Sequence, residues 1–371
     1  MSVVVEVEAR ERINEAATYK SPYEEWKESQ GLPTIRGFHV RSLLDVDVTP
    51  WPARGNASGV FINLDGTGGF NDTYVLEIPA RGQTEPWRHI YEETIFILKG
   101  HGTTSVWYDE KRKQTVEWHE QSYFSLPPNA WHQHFNLSGD EPVRYVAMTA
   151  APRIIDSFKD LDFVFNNPYV FKGKFDDEEG YFNEKPKMGR GRWDTNFVAD
   201  VLASTPTPGA VTTAGRGGGT VGQGFAMVNA TVRSHSQSWP MGAHSTFHRH
   251  GPGIHVVLLQ GKGYSMVGPT WEEIERVDWG PGSMFVPPEG WWHAHFNTGT
   301  ERAVFLAIGW GTDKPKPGGK QYDYSKGPSE GGDQYKFSDE TPNIHAEFEA
   351  ELKKNGATCA MGSVHPYCTF K

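Results

Sequence analysis

The chain has 371 residues, of which 37% are hydrophobic and 22% charged, and its formal net charge is −10. This length allows two domains with cores of their own, and an acidic chain without a basic cluster argues against nucleic-acid or anionic-membrane binding. No apolar run reaches the roughly 18 residues that span a membrane. The first 20 residues lack the apolar stretch of a signal peptide, so we expect a cytoplasmic protein.

The sequence predicts one helix near each end of the chain. Ser21 is a suitable N-cap with Pro22 at the first helical position, and Gly31 is a suitable end. Near the other terminus, Pro342 begins a predicted helix of about 14 residues, which Asn355 ends.

Between these helices the chain predicts β-strands. Short β-branched and aromatic runs such as YVLEIPA, TIFILKG and GTTSVWY are bounded by turn-forming residues. We therefore divide the chain into an N-terminal helical and extended segment, a first β-domain, a linker with local structure, a second β-domain, and a C-terminal loop and helix: residues 1–45, 46–152, 153–225, 226–312 and 313–371.

The two β-rich regions repeat one another at an offset of 161 residues. Residues 89–100 align with 250–261 without a gap, and WHQHFN at 131–136 aligns with WHAHFN at 292–297. Self-similarity at a fixed offset indicates two copies of one structural module.

Three histidines of the second copy have the spacing of metal ligands. His248 and His250 are two residues apart, and residues at this spacing on a strand face the same side. His293 follows 43 residues later, on a strand that can bring it to the same point. Neutral imidazoles suit Fe, Mn, Cu, Ni and Zn, and three protein ligands leave open positions, as in catalytic sites.

The spacing around these histidines resembles the cupin pattern, G(x)5HxH followed by G(x)5PxG(x)2H(x)3N. The residues that match it are Gly242, His248, His250, Gly261, Gly282, Pro288, Gly290, His293 and Asn297. The resemblance implies an all-β bicupin, with two tandem jelly-roll β-barrel domains and short helices at both ends and in the linker. It also implies that His248, His250 and His293 are the metal ligands and that the protein is a homo-oligomer.

The family's usual ligand glutamate is replaced by Ile254. A three-histidine site without this carboxylate resembles the gentisate and salicylate dioxygenase branch of bicupins, which cleave aromatic rings with dioxygen and ferrous iron. The resemblance implies Fe(II), with Mn, Ni, Cu or Zn as alternatives, and a small-molecule substrate that reacts with dioxygen.

Other residues near the motifs have open roles. His255 can be a fourth ligand, a group beside the ligands, or a structural residue on the opposite face of its strand. His295 and Asn297 follow His293 and are either partners of the ligands or structural. Pocket candidates for an aromatic acid are Phe247, Arg249, Trp292 and Trp310, and Arg233 is a further cation that can meet a carboxylate.

The first copy has a degenerate form of the same site. Trp87 stands where the second copy has His248, whereas His89, His132 and the carboxylate of Glu93 remain. A metal site with two histidines and one carboxylate is conceivable. The alternative is a former site whose polar groups now bond to one another.

The two cysteines lie close to the C-terminus. Cys359 and Cys368 can pair, stay free, or bind zinc together with His365, although no fourth ligand is evident from the sequence.

Three functions remain open. The first is a ferrous dioxygenase for a hydroxylated aromatic acid or a similar bidentate molecule. The second is a non-oxidative decarboxylase, isomerase, lyase or hydrolase that uses Mn, Ni or Zn. The third is a non-catalytic small-molecule binder.

Overall fold

The computed structural model describes residues 20–67, 69–182, 187–189, 191–212, 217–227, 232–251, 253–310 and 322–370. Within these ranges the helices are α1 (Pro22–Ser29), α2 (Ala151–Phe158), α3 (Leu161–Phe165), α4 (Val201–Ser204) and α5 (Pro342–Lys354). The strands are β1 (Thr34–Ile35), β2 (His39–Val40), β3 (Thr49–Pro50), β4 (Ser58–Ile62), β5 (Asp72–Ile78), β6 (Glu93–Lys99), β7 (His101–Trp107), β8 (Gln114–His119), β9 (Tyr123–Ser125), β10 (Trp131–Asn136), β11 (Val143–Thr149), β12 (Lys187–Gly189), β13 (Arg192–Thr195), β14 (Phe197–Val198), β15 (Val221–Met227), β16 (Val232–Trp239), β17 (Ile254–Gln260), β18 (Gly263–Gly268), β19 (Glu275–Trp279), β20 (Met284–Phe285), β21 (Trp292–Asn297) and β22 (Ala303–Trp310).

The strands form two jelly-roll modules, each made of a large sheet and a three-stranded sheet. The first module has the order β1-β4-β5-β11-β6-β9-β14, with β3 beside β4, and the small sheet β10-β7-β8. The second has the order β12-β13-β15-β16-β22-β17-β20-β2 and the small sheet β19-β18-β21. The predicted all-β architecture of two tandem jelly rolls is confirmed.

The internal repeat is also confirmed as a structural repeat. Strands β6 and β17 begin at Glu93 and Ile254, and β10 and β21 begin at Trp131 and Trp292. Both pairs differ by the 161 residues of the sequence offset, so equivalent side chains of the two barrels can be compared directly.

Each large sheet contains a strand from outside its own module. Strand β2, near the N-terminus, pairs with β20 of the second module through His39 and Phe285. Strand β14, which follows the first module, pairs with β9 of that module through Phe197 and Phe124. Strand β15, which starts at Val221 inside the segment assigned to the linker, also belongs to the large sheet of the second module.

The large sheets of the two modules share one apolar core. Phe96 of β6 lies in it together with Val257 and Leu259 of β17. Their strand neighbours Ile95 and Val256 belong instead to the cores of the first and second barrel, respectively. Because side chains alternate along a strand, each large sheet has one face in its barrel and one face against the other module.

Both predicted terminal helices are confirmed. The Ser21 hydroxyl caps α1 by accepting from the backbone N–H of Glu24 at 3.3 Å, and Pro22 is its first residue. Helix α5 begins at Pro342, and Asn355 is its C-cap. In the described part of the chain, no helix has the length and apolar character needed to cross a membrane.

Candidate metal centre

His248, His250 and His293 are brought together by backbone pairing between the segment before β17 and β21. The N–H of His248 donates to the carbonyl of His293 at 3.0 Å, and the N–H of His293 donates back at 2.9 Å. The carbonyl of His250 accepts from Gly290, whose φ of 74° suits a glycine. An irregular segment, rather than the regular strand expected at His248 and His250, therefore positions these two rings.

All three imidazoles present the same nitrogen to one point. Each Nδ1 lies 2.9–3.1 Å from a backbone carbonyl oxygen. The acceptors are the carbonyls of Thr246, Gly251 and Trp291. Because a carbonyl only accepts, each Nδ1 carries the hydrogen and, in the neutral ring, each Nε2 keeps its lone pair. One ligand atom from each histidine lies within 4.8 Å of those of the other two.

This donor set fits a divalent transition metal. His248 and His293 are 0% and 1% exposed, whereas His250 is half-buried and marks the accessible side of the group. Neutral imidazoles suit such ions, and the bonds to backbone carbonyls fix the ring orientations, as partners of metal-bound histidines usually do.

His255 lies outside this group, on the other face of β17. Ile254 and Val256 pack with the core of the second barrel, whereas Val257, on the same face as His255, lies in the core between the modules. His255 pairs across the sheet with Ile308 and is fully buried. Burial lowers the pKa of His255 to about 4, against an opposing backbone interaction at Ile308. The placement corresponds to the structural role among the three left open.

Strand β16 contributes three polar residues to the barrel interior, of which the sequence singled out Arg233 but not His235 or Gln237. Arg233, His235 and Gln237 alternate with buried serines and share the face of Trp239, which belongs to the core of the second barrel. The ring of His235 lies 6.1 Å from that of Phe305 in the same core. The three polar residues are only half-buried, so solvent reaches this side of the barrel.

His295 is held in a hydrogen-bonded triad that both modules contain. Its Nδ1 lies 2.8 Å from the Ser265 hydroxyl, which also accepts from Nε1 of Trp279 at 3.0 Å. The first module has the same arrangement with His134, Thr104 and Trp118. A triad present in both copies indicates a structural task for His295.

Asn297 also has an equivalent in the first module. Its Nδ2 donates to the carbonyls of Pro240 and Glu301 at 3.0 and 2.8 Å, and its Oδ1 accepts from Gly299. Asn136 makes the corresponding bonds in the first module. Asn297 therefore ties strand ends together through the backbone.

Two of the expected pocket residues face outward. Phe247 and Trp292 belong to an apolar cluster with Phe348 of α5, on the outer side of the small sheet. Alternation along β21 places His293 on the opposite face from Trp292. Phe247 and Trp292, which the sequence suggested as pocket residues, therefore lie on the face that α5 covers and not in the barrel interior.

Arg249 is engaged by the C-terminal segment. Its Nε donates to Oδ1 of Asp333 at 2.6 Å, and its guanidinium lies 4.4 Å from the ring centroid of Trp292. An arginine held by a carboxylate and an aromatic face supports the covering segment rather than the barrel interior. Trp310 is the last residue of β22, and its side chain lies outside the described part of the structure.

The first module retains a buried group formed by His89, Glu93 and His132. Oε2 of Glu93 lies 3.0 Å from Nε2 of His89, and Oε1 accepts from the Tyr74 hydroxyl at 2.6 Å. Burial alone would raise the pKa of Glu93, but the interaction with His89 outweighs it and lowers the pKa to about 2. The cavity beside Glu93 and Trp87 measures only ≈ 10 Å³, about the space of one water molecule.

Residues 74–149, from β5 to β11, match the Cupin domain family. The chain matches none of the curated proteins. Among solved structures, a single-residue mutant of Bacillus subtilis oxalate decarboxylase is 16% identical, with 74% of this chain and 78% of that chain covered and a TM-score of 0.47. A deletion mutant of the same enzyme is 16% identical, with 74% and 77% covered and a TM-score of 0.46. Residues 74–149 of the first module are thus similar to a cupin domain. The second module repeats the strands of the first at the offset of 161 residues.

Proposed function

We propose that the second module is a metal-dependent enzyme for a small molecule and that His248, His250 and His293 hold its metal ion. The observation that supports this most is the shared ring orientation: every Nδ1 is bonded to a backbone carbonyl, so Nε2 is the nitrogen of each neutral ring that can bind a metal. Among the described residues, no carboxylate belongs to this group. A divalent ion there would therefore keep its full positive charge and favour an anionic substrate.

We propose a chelating carboxylate, such as a hydroxylated aromatic acid, as the substrate class. Arg233 on β16 is paired across the sheet with Gly309, which is paired in turn with Ile254. Gly309 has no side chain and the end of Ile254 covers it, so no side chain of β22 stands between Arg233 and Ile254 on this face of the sheet. Arg233 can pair with a substrate carboxylate beside the position where the family has its ligand glutamate.

As the reaction we propose dioxygen-dependent cleavage of this substrate, with Fe(II) as the metal. Three protein ligands leave positions for a bidentate substrate and for dioxygen, and ferrous iron supplies the electrons that activate dioxygen. The protein holds the ion through neutral rings and surrounds the substrate with the apolar side chains of Ile254, Val256 and Phe305. Such walls exclude bulk water from the reacting groups.

A non-oxidative reaction, for example a decarboxylation with Mn, Ni or Zn, is the second candidate, and His235 is the residue that favours it. His235 is equivalent to Tyr74 of the first module, whose hydroxyl reaches Glu93. Glu93 is in turn equivalent to Ile254, so a side chain at the position of His235 can reach the substrate. An imidazole there can donate or accept a proton during such a reaction.

The test begins with protein purified without oxygen, whose bound metal is measured. Oxygen consumption and product formation are then followed with a panel of hydroxylated aromatic acids and simple dicarboxylates, in air and under nitrogen. His248→Ala should lose the metal and all turnover, whereas His119→Ala, which removes an exposed histidine of β8, should lose neither.

The outcomes separate the candidates. Oxygen consumption that disappears in His248→Ala supports the dioxygenase. Product formed under nitrogen, and lost in His235→Gln with the metal retained, overturns it in favour of the second candidate. Bound metal with tight binding of the acids and no turnover in either atmosphere overturns both and leaves a binding protein.

A further inference from the structure

The C-terminal helix and the tail after it assemble four side chains with metal-binding atoms. His345 and Glu349 are one turn apart on α5, and Cys359 and Cys368 follow in the tail. One ligand atom from each lies within 4.8 Å of the other three. His345 is 0% and Cys368 4% exposed, and both cysteines are free thiols.

The spacing of these atoms is that of a tetrahedral metal site. Sγ of Cys368 is 3.4 Å from Sγ of Cys359, which is 3.7 Å from Nε2 of His345. Nε2 of His345 is in turn 3.3 Å from Oε1 of Glu349. With Zn–S of about 2.3 Å and Zn–N or Zn–O of about 2.0–2.1 Å, neighbouring atoms of a tetrahedron are roughly 3.3–3.8 Å apart.

Two hydrogen bonds through His244 orient the imidazole of His345 as a metal ligand. Nδ1 of His244 lies 3.0 Å from the Ser245 carbonyl and donates to it, because a carbonyl only accepts. Nε2 of a neutral His244 must then accept from Nδ1 of His345, at 3.2 Å. Nε2 of His345 consequently turns its lone pair toward Cys359 and Glu349.

The carboxylate and one sulfur are fixed by backbone donors as well. Glu349 accepts from the N–H and the hydroxyl of Thr369 at 2.6 and 2.5 Å. Sγ of Cys359 accepts from the N–H of Met361 at 3.4 Å. Metal ligands are commonly held by such outer partners.

His365, the third residue that the sequence grouped with the cysteines, has other partners. Its ring stacks on His345 with centroids 3.7 Å apart. Its Nδ1 accepts from the N–H of Tyr367, and its Nε2 faces Glu340. His365 therefore lies beside the proposed ligands but is not one of them.

We propose that His345, Glu349, Cys359 and Cys368 form a second metal site, which binds Zn²⁺. Two thiolates select zinc over harder ions, and four protein ligands leave no open position, as in structural sites. The site would fasten the tail to α5, whose Phe348 packs against Phe296 of β21. The hydrogen bond between His345 and His244 also connects the site to the segment that contains His248, because His244 lies four residues before His248.

Cobalt substitution of the full wild-type chain tests this proposal without any mutation. Cobalt in the proposed site should give the visible absorption of a tetrahedral ion together with a thiolate-to-cobalt charge-transfer band. The three-histidine centre contains no thiolate, so the outcome is read at saturating cobalt, and saturation without this band would overturn the proposal. Intact mass measured under denaturing conditions, after the zinc has been removed without oxygen, distinguishes a dithiol from a disulfide. A mass two hydrogens lower than that of the dithiol would mean a disulfide and would overturn the proposal as well.

Variants then assign the ligands through the zinc content of each protein. Cys359→Ser and Cys368→Ser should each lose one zinc per chain and the charge-transfer band. His248→Ala, which removes a ligand of the other site, should keep both. His365→Gln should also keep the band, and its loss there together with retention in Cys368→Ser would contradict the ligand set.

Discussion

Replacement of His255 by leucine tests whether this residue binds the metal or is a structural residue in the core between the modules. His255 is fully buried in the core between the modules, where it shares the face of Val257 and lies opposite Ile308. Leucine at this position places an apolar side chain in an apolar core and removes the titrating imidazole. Because His255 is not in the group formed by His248, His250 and His293, His255→Leu should bind metal as the wild type does.

The expected effect on stability depends on pH. Burial lowers the folded-state pKa of His255 to about 4, from an ordinary value of 6.5. The folded state therefore prefers the neutral ring, and the contribution to stability is complete above pH 6.5 and is lost as the pH falls toward 4. A difference of about 2.5 pKa units corresponds to about 3 kcal/mol of unfolding free energy.

Urea unfolding followed by tryptophan fluorescence measures this loss. Between about pH 7.5 and pH 4.5 the wild type should lose about 2.5 kcal/mol more than His255→Leu, because the full difference is reached only below pH 4. The matched control His119→Leu, at an exposed position, should follow the wild type. An unchanged acid dependence in His255→Leu would refute the buried neutral ring, and a loss of bound metal would place His255 among the ligands.

Two further predictions concern the first barrel and the small sheet of the second. Burial raises the pKa of Asp72 to about 7. A carboxyl group with a raised folded-state pKa stabilises the fold at low pH, and this contribution is lost as the pH rises from about 4 to 7. In a pH series of unfolding curves, the unfolding free energy of the wild type should fall by up to about 4 kcal/mol from this group, and Asp72→Asn should not show this fall. At Gly263 a Cβ would lie 2.0 Å from the carbonyl oxygen of Phe296, so Gly263→Ala should cost about 3 kcal/mol or more in thermal or urea unfolding. Gly139→Ala, whose Cβ would lie 3.6 Å from Arg81, should stay within about 0.5 kcal/mol of the wild type.

The tandem architecture could be predicted from the sequence because strand patterns and motif spacing are local properties. The repeat offset alone identifies the equivalent strands of the two modules, and the motif spacing groups His248, His250 and His293. The sides of Phe247 and Trp292 could not be predicted in the same way. They depend on which face α5 covers, and this is a tertiary contact with no local signal.

His235 could not be singled out from the sequence because β16 is polar on both faces. The sequence VRSHSQSW has no apolar alternation, since Ser234 and Ser236 lie buried on the face toward the other module. The register against β22 is what assigns His235 to the barrel interior. His345 and Glu349 escape sequence reasoning for a related reason, because an i, i+4 pair on a helix resembles an ordinary surface ion pair.

Comparison of equivalent positions supports the proposal that the second barrel holds the metal ion. In the first barrel Glu93 already has a partner for each oxygen, in His89 and Tyr74, so its charge is satisfied within the protein. In the second barrel the position of Glu93 is held by Ile254, which can neither donate nor accept. Among the described residues, no carboxylate belongs to the group of the three imidazoles, and their common orientation favours a cation. The half-buried residues of β16 keep that side open to solvent, whereas the first barrel has closed around its own ion pair.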